Sequence, residues 1–298
     1  MTPGIADGKP APAHSAGCFI RCEGVGYTYR SGARALRDIN LEIAEGEFAA
    51  VVGHNGSGKS TLAMLLSGLE KPGAGIVTLG GMNTADTSKS RELRKLCGIV
   101  FQNPENQLVF EKVADDLAFG LKNLGFGGEE IEKRIAEVSR ILGIEEFTDS
   151  FELSMGQKQR VAIAGALAMN PRGMIFDEPT AMLDPRGKRD IQRIIADLHR
   201  RGLTVVYVTN VIDEVLFADR IILLNQGRIG GEFRREELPS RLDELRALGL
   251  EAPVILDAAD RLRARGLAVA LKDFSLEGLI EGIAAAAGLP GTGGGAES

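Results

Sequence analysis

Apolar residues recur along this chain with two periods, and the places where the period changes divide it into elements. Cys18 to Tyr29 alternates enough to predict a strand, and Asp38 to Ile43 (DINLEI) alternates strictly. Glu47 to Val52 ends in a continuous apolar run of the length of a buried strand, and Thr61 to Leu66 opens a helix with an apolar face. Gly75 to Leu79 and Gly98 to Phe101 predict two more strands. Between Pro104 and Phe151 the period becomes helical, most clearly over Lys112 to Leu124 and Glu129 to Leu142. A long helix follows over Gly156 to Met169, apolar on one face and cationic at Lys158 and Arg160. Strand-like runs return at Met174 to Phe176, Thr204 to Thr209 and Ile221 to Leu224, with an amphipathic helix over Gly187 to Arg200. Alternation of strand and helix predicts an α/β fold with a mainly parallel sheet covered on both faces. From Arg234 to Leu289 the pattern is helical and charged and predicts a separate C-terminal element.

Composition narrows this picture only slightly. The 298 residues are 44% hydrophobic and 26% charged, as in an ordinary globular protein able to bury a large core. No apolar run reaches the length that spans a bilayer, so a membrane role requires a partner. Residues 1–16 lack an apolar signal segment and read as a disordered lead; 290–298 read as a disordered tail. A net charge of −6 argues against a nucleic-acid partner, whose binding would need a basic surface. His14, Cys18 and Cys22 have a spacing that could suit a metal, but no second ligand pair follows, so buried or idle thiols in a reducing compartment are expected.

The candidate chemistry begins where the third strand meets its helix. Gly53-His54-Asn55-Gly56-Ser57-Gly58-Lys59-Ser60, followed by Thr61, is a complete phosphate loop in the strand–loop–helix context it requires. Its glycines let successive N–H groups point at a phosphate, and the helix N-terminus adds partial positive charge. Lys59 is placed to neutralise the β- and γ-phosphates and Ser60 to ligate Mg²⁺. A plain glycine turn would need neither the lysine nor the hydroxyl. Two carboxylates, Asp177 and Glu178, end the apolar strand at 174–176; Asp177 would hold Mg²⁺ and Glu178 would polarise an attacking water. A helix-capping acid would explain one of them but not the pair. Leu153-Ser154-Met155-Gly156-Gln157 leads into a helix and could form a second anion site, although Ser154 alone would read as an ordinary cap.

In this order the motifs resemble the ATPase subunits of ATP-binding cassette (ABC) transporters over about residues 17–230. The resemblance implies a RecA-like P-loop core at 17–233 with a helical subdomain inserted at about 103–155, and a helical C-terminal element at 234–289. It assigns Tyr29 to adenine stacking, Gln102 to the Q-loop, Leu153–Gln157 to the signature and Ala181–Asp184 to the D-loop, with ATP and Mg²⁺ bound. It further implies a head-to-tail dimer in which the signature of one ATPase subunit covers the phosphate loop of the other.

Val100 to Leu108 (VFQNPENQL), Asp115 to Gly120 (DDLAFG), Arg160 to Gly165 (RVAIAG) and the helical tail are similar to the energy-coupling-factor branch, importers of cobalt, nickel and vitamins. That likeness implies a peripheral subunit on the cytoplasmic face of the cell membrane, with a transmembrane coupling subunit and a substrate-binding membrane subunit as partners. Glu111, Asp115 and Asp116 would then face arginines of the coupling subunit; as a plain solvated helix face they would need no partner.

Two positions depart from the family pattern. Asn210 stands where the family has a histidine that contacts the γ-phosphate, and an amide can neither titrate nor carry charge. Met155 replaces the first glycine of the signature. The two departures fall on different composite sites if the partner is a different protein, so a heterodimer with unequal sites is favoured. The alternative is a slow or non-catalytic nucleotide-binding subunit. A soluble cassette ATPase acting on DNA or ribosomes would need a coiled coil, tandem cassettes or a basic surface, and none is present.

Overall fold

The computed structural model describes residues 17–289; the expected lead at 1–16, with His14, and the tail at 290–298 lie outside them. The alternating segments at the start of the chain form two long strands, β1 (Cys18–Thr28) and β2 (Arg34–Ala44), paired antiparallel. β4 (Ala74–Leu79) pairs antiparallel with β1, and the short β5 (Met82–Asn83) closes this sheet in the order β2-β1-β4-β5.

A second sheet is six-stranded, with β6 (Cys97–Val100), β7 (Gly173–Asp177), β8 (Thr204–Thr209), β3 (Phe48–Val52) and β9 (Arg220–Asn225) parallel. β10 (Arg228–Arg234) adds antiparallel at the edge, giving the order β10-β9-β3-β8-β7-β6. The mainly parallel sheet is therefore as expected, but the early alternating strands do not join it. They form a separate antiparallel layer, because alternation reports one buried face and says nothing about which strand lies alongside.

The parallel strands read as continuous apolar runs because they are covered on both sides. Successive residues of β3 divide between two cores: Ala49 and Val51 pack with the first sheet and with Leu62, Leu65 and Leu66 of α1 (Lys59–Leu66). Phe48, Ala50 and Val52 face a larger core that includes α3 (Val113–Asn123), α4 (Gly128–Leu142), α5 (Met155–Ala168) and α6 (Pro185–Arg200). A short helix, α2 (Ser90–Leu96), leads into β6.

After β10, a 3₁₀ turn leads to α7 (Leu242–Ala247), α8 (Val254–Ala264) and α9 (Leu276–Ala286). Leu238, Leu242, Leu245 and Leu256 pack into the larger core, while Ala259, Val269 and Leu279 form a small cluster of their own. The C-terminal segment is thus tied to the main body by leucines rather than standing apart. Among the described residues no helix is long and apolar enough to cross a membrane, and no group of three or more His, Cys, Asp or Glu could hold a metal. Cys22 and Cys97 are buried, and burial pushes both thiols up to about 12, which leaves them unreactive. Cys18 is exposed.

Candidate functional site

The C-terminal ends of β3, β7 and β8 open toward the same crevice, the usual location of a ligand in an open parallel sheet. The phosphate loop leaves β3 and enters α1 through Gly58, whose φ of 105° lies in the left-handed region. A Cβ there would stand 2.7 Å from the Ala35 carbonyl oxygen, so only glycine allows the loop to close against β2. Gly56, at φ 80°, has open space where a Cβ would be, which leaves its backbone accessible from outside.

Lys59 is the first residue of α1 and is only 5% exposed. Its ammonium donates to the carbonyls of Gly53 at 2.9 Å and His54 at 3.2 Å and lies 3.5 Å from Glu178 Oε1. The same crevice holds the Ser60 hydroxyl, which donates to Asp177 Oδ1 at 3.1 Å. Burial, opposed by the Ser60 hydrogen bond, holds the Asp177 carboxyl above its ordinary range, and the neighbouring Glu178 pushes the same way. An acid raised by desolvation in this manner gains from a cation. The donor set of a hydroxyl and a carboxylate, both oxygens, suits Mg²⁺. The Ser57 hydroxyl is buried with no hydrogen-bond partner, a further sign that the loop is shaped for something more than its own packing.

Glu178 has φ 48°, unusual for a residue with a Cβ, and its N–H donates to the Val208 carbonyl at 2.8 Å. The strained backbone is therefore held by β8, and it turns the carboxylate back over Lys59. Asn210 follows β8 directly; it is exposed, and its amide donates to Asn55 Oδ1 of the phosphate loop at 3.3 Å. Tyr29 sits just beyond β1, with its ring edge-on to Tyr27 and its hydroxyl 2.7 Å from Thr61 Oγ1. His54 bonds through Nε2 to Asn225 Oδ1 at 3.2 Å, a partner the motif did not indicate.

Gln102 is exposed, and the residue before it is fixed through both of its backbone groups. The Phe101 N–H donates to Gln107 Oε1 at 2.8 Å, and the Phe101 carbonyl accepts from Gln159 Nε2 at 3.3 Å. Gln159 is fully buried on α5 with its Oε1 unpartnered; flanked by Lys158 and Arg160, it carries no sequence signal of this role.

Ser154 and Gln157 form a capping box at the start of α5: Ser154 Oγ accepts from the Gln157 N–H at 3.4 Å, and Gln157 Oε1 accepts from the Ser154 N–H at 2.9 Å. A Cβ at Gly156 would meet nothing within 4 Å, so packing within this chain does not demand glycine there. Met155 is half-buried. Among the described residues no hydrogen bond joins 153–157 to the phosphate loop. Asp184 caps α6, accepting from the Gly187 N–H at 2.7 Å with Pro185 at the first helical position, so α6 begins earlier than the expected Gly187.

The acidic residues around α3 differ among themselves. Asp116 accepts from the Val109 and Phe110 N–H groups at 2.8 and 3.1 Å and from Ser150 at 3.1 Å, so it holds its own loop. Asp115 is exposed and lies 3.7 Å from Lys122; Glu111 is exposed too. Beside them, Gln107, Leu108, Phe119, Gly120 and Met169 line a groove of 240 Å³, with Phe119 itself exposed; Val109, Phe110 and Phe151 are exposed as well.

Comparison with known proteins adds the relationships. The model of the family described as ABC transporter matches residues 36–181. The energy-coupling factor transporter ATP-binding protein EcfA1 of Symbiobacterium thermophilum is 42% identical over 276 residues, covering 89% of this chain and 96% of that protein. The corresponding EcfA of Methanosarcina acetivorans is 46% identical over 255 residues, covering 84% and 92%. Among solved structures, CbiO1 of Clostridium perfringens, part of the ABC transporter complex CbiONQ, aligns with a TM-score of 0.70 at 35% identity over 82% of this chain and 99% of that one. An ATP-binding cassette solved as a dimer in a post-hydrolysis state with ADP and Pi aligns with a TM-score of 0.66 at 34% identity, over 72% and 98%.

Proposed function

The chain belongs to the ATP-binding subunits of energy-coupling-factor ABC transporters, and from that premise we propose how its residues divide the work of an ATP-hydrolysing import motor. The observation that carries the proposal is the meeting of Lys59 with Glu178 at 3.5 Å beside the Ser60–Asp177 pair at 3.1 Å. A phosphate-binding cation, a hydroxyl–carboxylate pair suited to Mg²⁺ and a candidate base converge at one loop.

Backbone N–H groups of residues 53–61 and the Lys59 ammonium bind the triphosphate, and Tyr29 supplies an aromatic face for the adenine. Ser60, Asp177 and Gln102 would hold Mg²⁺, which supplies neutralising charge for the β- and γ-phosphate oxygens. Binding a triphosphate gives Lys59 a new partner, so its hold on Glu178 loosens and the carboxylate is released toward water. Glu178 then accepts a proton as the water oxygen bonds to the γ-phosphorus and the bond to the bridging oxygen of ADP breaks. Asn210 donates to the γ-phosphate as a neutral amide.

A second subunit would supply Ser154, Gly156 and Gln157 across the γ-phosphate, and Asp184 lies at the same junction. The open space at Gly156 supports a close approach from outside. The partner is read as a different ATPase, so that Asn210 weakens one composite site and Met155 the other. The groove beside Phe119 is the place for a transmembrane coupling subunit, with Asp115 and Glu111 as the acids free to meet its cations. The chain would then sit peripherally on the cytoplasmic face of the membrane, and the cargo, a metal ion or vitamin, would be selected by membrane subunits.

The test is purification from solubilised membranes with whatever chains accompany it. Recovery of an integral membrane protein and of a second ATPase is expected, and the E178Q variant should retain ATP while losing phosphate release. Absence of any membrane protein would refute the importer reading. Unchanged turnover in E178Q would refute the role of Glu178. The hydrogen bond from Asn210 to Asn55 favours a second reading, a slow site that binds ATP with little turnover, and the rate of a single turnover separates the two.

A further inference from the structure

Glu214 is a glutamate in a short 3₁₀ turn after β8, yet its residue is only 6% exposed. Its carboxylate accepts three hydroxyl donors: Thr180 Oγ1 at 2.7 Å, Thr209 Oγ1 at 3.1 Å and Tyr207 OH at 3.2 Å. Lys188 of α6 stands 3.6 Å away and supplies the opposite charge. Tyr207's own burial, and next the negative charge of Glu214, hold its hydroxyl well above the ordinary value. No part of the hydrolytic scheme above uses Glu214.

The positions of its partners define what it does. Thr180 lies two residues beyond Glu178, and Thr209 immediately precedes Asn210. The Thr209 hydroxyl donates a hydrogen bond to Glu214 and accepts one from the Val211 N–H at 3.0 Å, so Asn210 is held from both sides. Lys188 belongs to the helix that Asp184 caps. One carboxylate thus ties together the turn carrying Glu178, the turn carrying Asn210 and the helix that follows residues 181–184. Stability alone does not call for this arrangement, since a network replaced as a whole by well-packed apolar side chains is often no less stable, although removing the carboxylate alone would strand three hydroxyls and Lys188. What the network provides that an apolar contact would not is a fixed direction for both turns.

We propose that Glu214 is a positioning residue for ATP hydrolysis, setting the spacing between Glu178 and Asn210 across the γ-phosphate. The proposal rests on the assignment of those two residues to the γ-phosphate. The substitution E214Q keeps size and one acceptor but cannot receive all three hydroxyls or balance Lys188. Thr209→Val removes one link at similar volume, and Thr209→Ser keeps it.

In the purified membrane complex, E214Q and T209V should lower kcat about tenfold, the scale of coupling within one hydrogen-bonded network, while KM for ATP stays within twofold. T209S should retain most of the rate. In an Asn210→Ala background the further loss from E214Q should shrink to about threefold or less, because one of the two groups it positions is gone. Amide exchange over 209–211 should quicken in E214Q while exchange in β3 stays as it was. An equal loss in both backgrounds, or rate, ATP affinity and melting temperature falling together, would overturn the proposal and leave Glu214 a structural acid. If the unmodified complex releases no phosphate, it is the motor reading that fails; unchanged exchange over 209–211 in E214Q then overturns the positioning role on its own.

Discussion

Replacing Asn210 by histidine asks how much hydrolysis the amide forgoes. The position is exposed, and among the described residues its side chain has one hydrogen bond, to Asn55 at 3.3 Å. Removing that bond forfeits about 0.5–1 kcal/mol at most for an exposed neutral pair. The γ-phosphate carries developing charge in the transition state, and an imidazolium would meet it with a charge-assisted bond. Such bonds contribute about 1.5–3 kcal/mol net against about 0.5–1.5 for a neutral one. A difference of about 1–1.5 kcal/mol corresponds to a five- to tenfold rise in kcat. The gain should also depend on pH. Imidazole titrates near about 6.5, and contact with phosphate raises that value, so the advantage is greatest below the shifted pKa and declines as pH rises through it. The unmodified chain has no such group at 210 and should lack that step. Phosphate release by the assembled complex between pH 6 and 9, measured for both forms at saturating ATP, reads the ratio directly. A ratio of one or less at every pH would refute the claim that the amide limits hydrolysis.

Asp177→Asn should raise the melting temperature of the nucleotide-free protein while eliminating Mg²⁺-dependent phosphate release. Burial raises the folded-state pKa of Asp177 above its unfolded value, so this residue's penalty is fully present above the folded pKa and fades as pH falls toward the unfolded one. The melting difference between variant and unmodified protein should therefore narrow on acidification, and a difference independent of pH would contradict the assignment. Gly58→Ala should destabilise by about 2 kcal/mol or more, since it combines a left-handed backbone with a 2.7 Å contact to Ala35, and thermal melting checks it. Phe119→Asp should abolish recovery of membrane partners while leaving ATP affinity unchanged, because the side chain is 46% exposed beside the groove and apart from the phosphate loop.

The chemistry was more legible in the sequence than the layering. β8 is found with both ends as expected, because TVVYVT is buried at every position and its residues all favour strands. Asp177 and Glu178 were readable as a pair because a buried apolar strand ends there. β10 was not legible: RIGGEFR has neither alternation nor a continuous apolar run, and it forms because β9 offers an unpaired edge. The internal roles of Asp116, expected to face a partner, and of Glu214 were not legible for the opposite reason. Each follows another acid, Asp115 or Asp213, and such a pair reads as solvated; only tertiary structure shows the hydroxyls and N–H groups that draw one of the two inward. The fixed backbone of Phe101 belongs to the same class, since Gln159 reaches it from 58 residues away.

The empty space around Gly156 has a consequence for how variation in this chain should be judged. A methyl group added there strikes nothing, so selection for folding alone would let the residue drift. Survey of variants by expression or melting would score alanine or serine at 156 as harmless. Under the proposed head-to-tail pairing, the same substitutions would surface as dominant lesions in the assembled motor, where one altered subunit would foul the nucleotide held by its neighbour. In that pairing the constraint on Gly156 would be written on the molecule opposite.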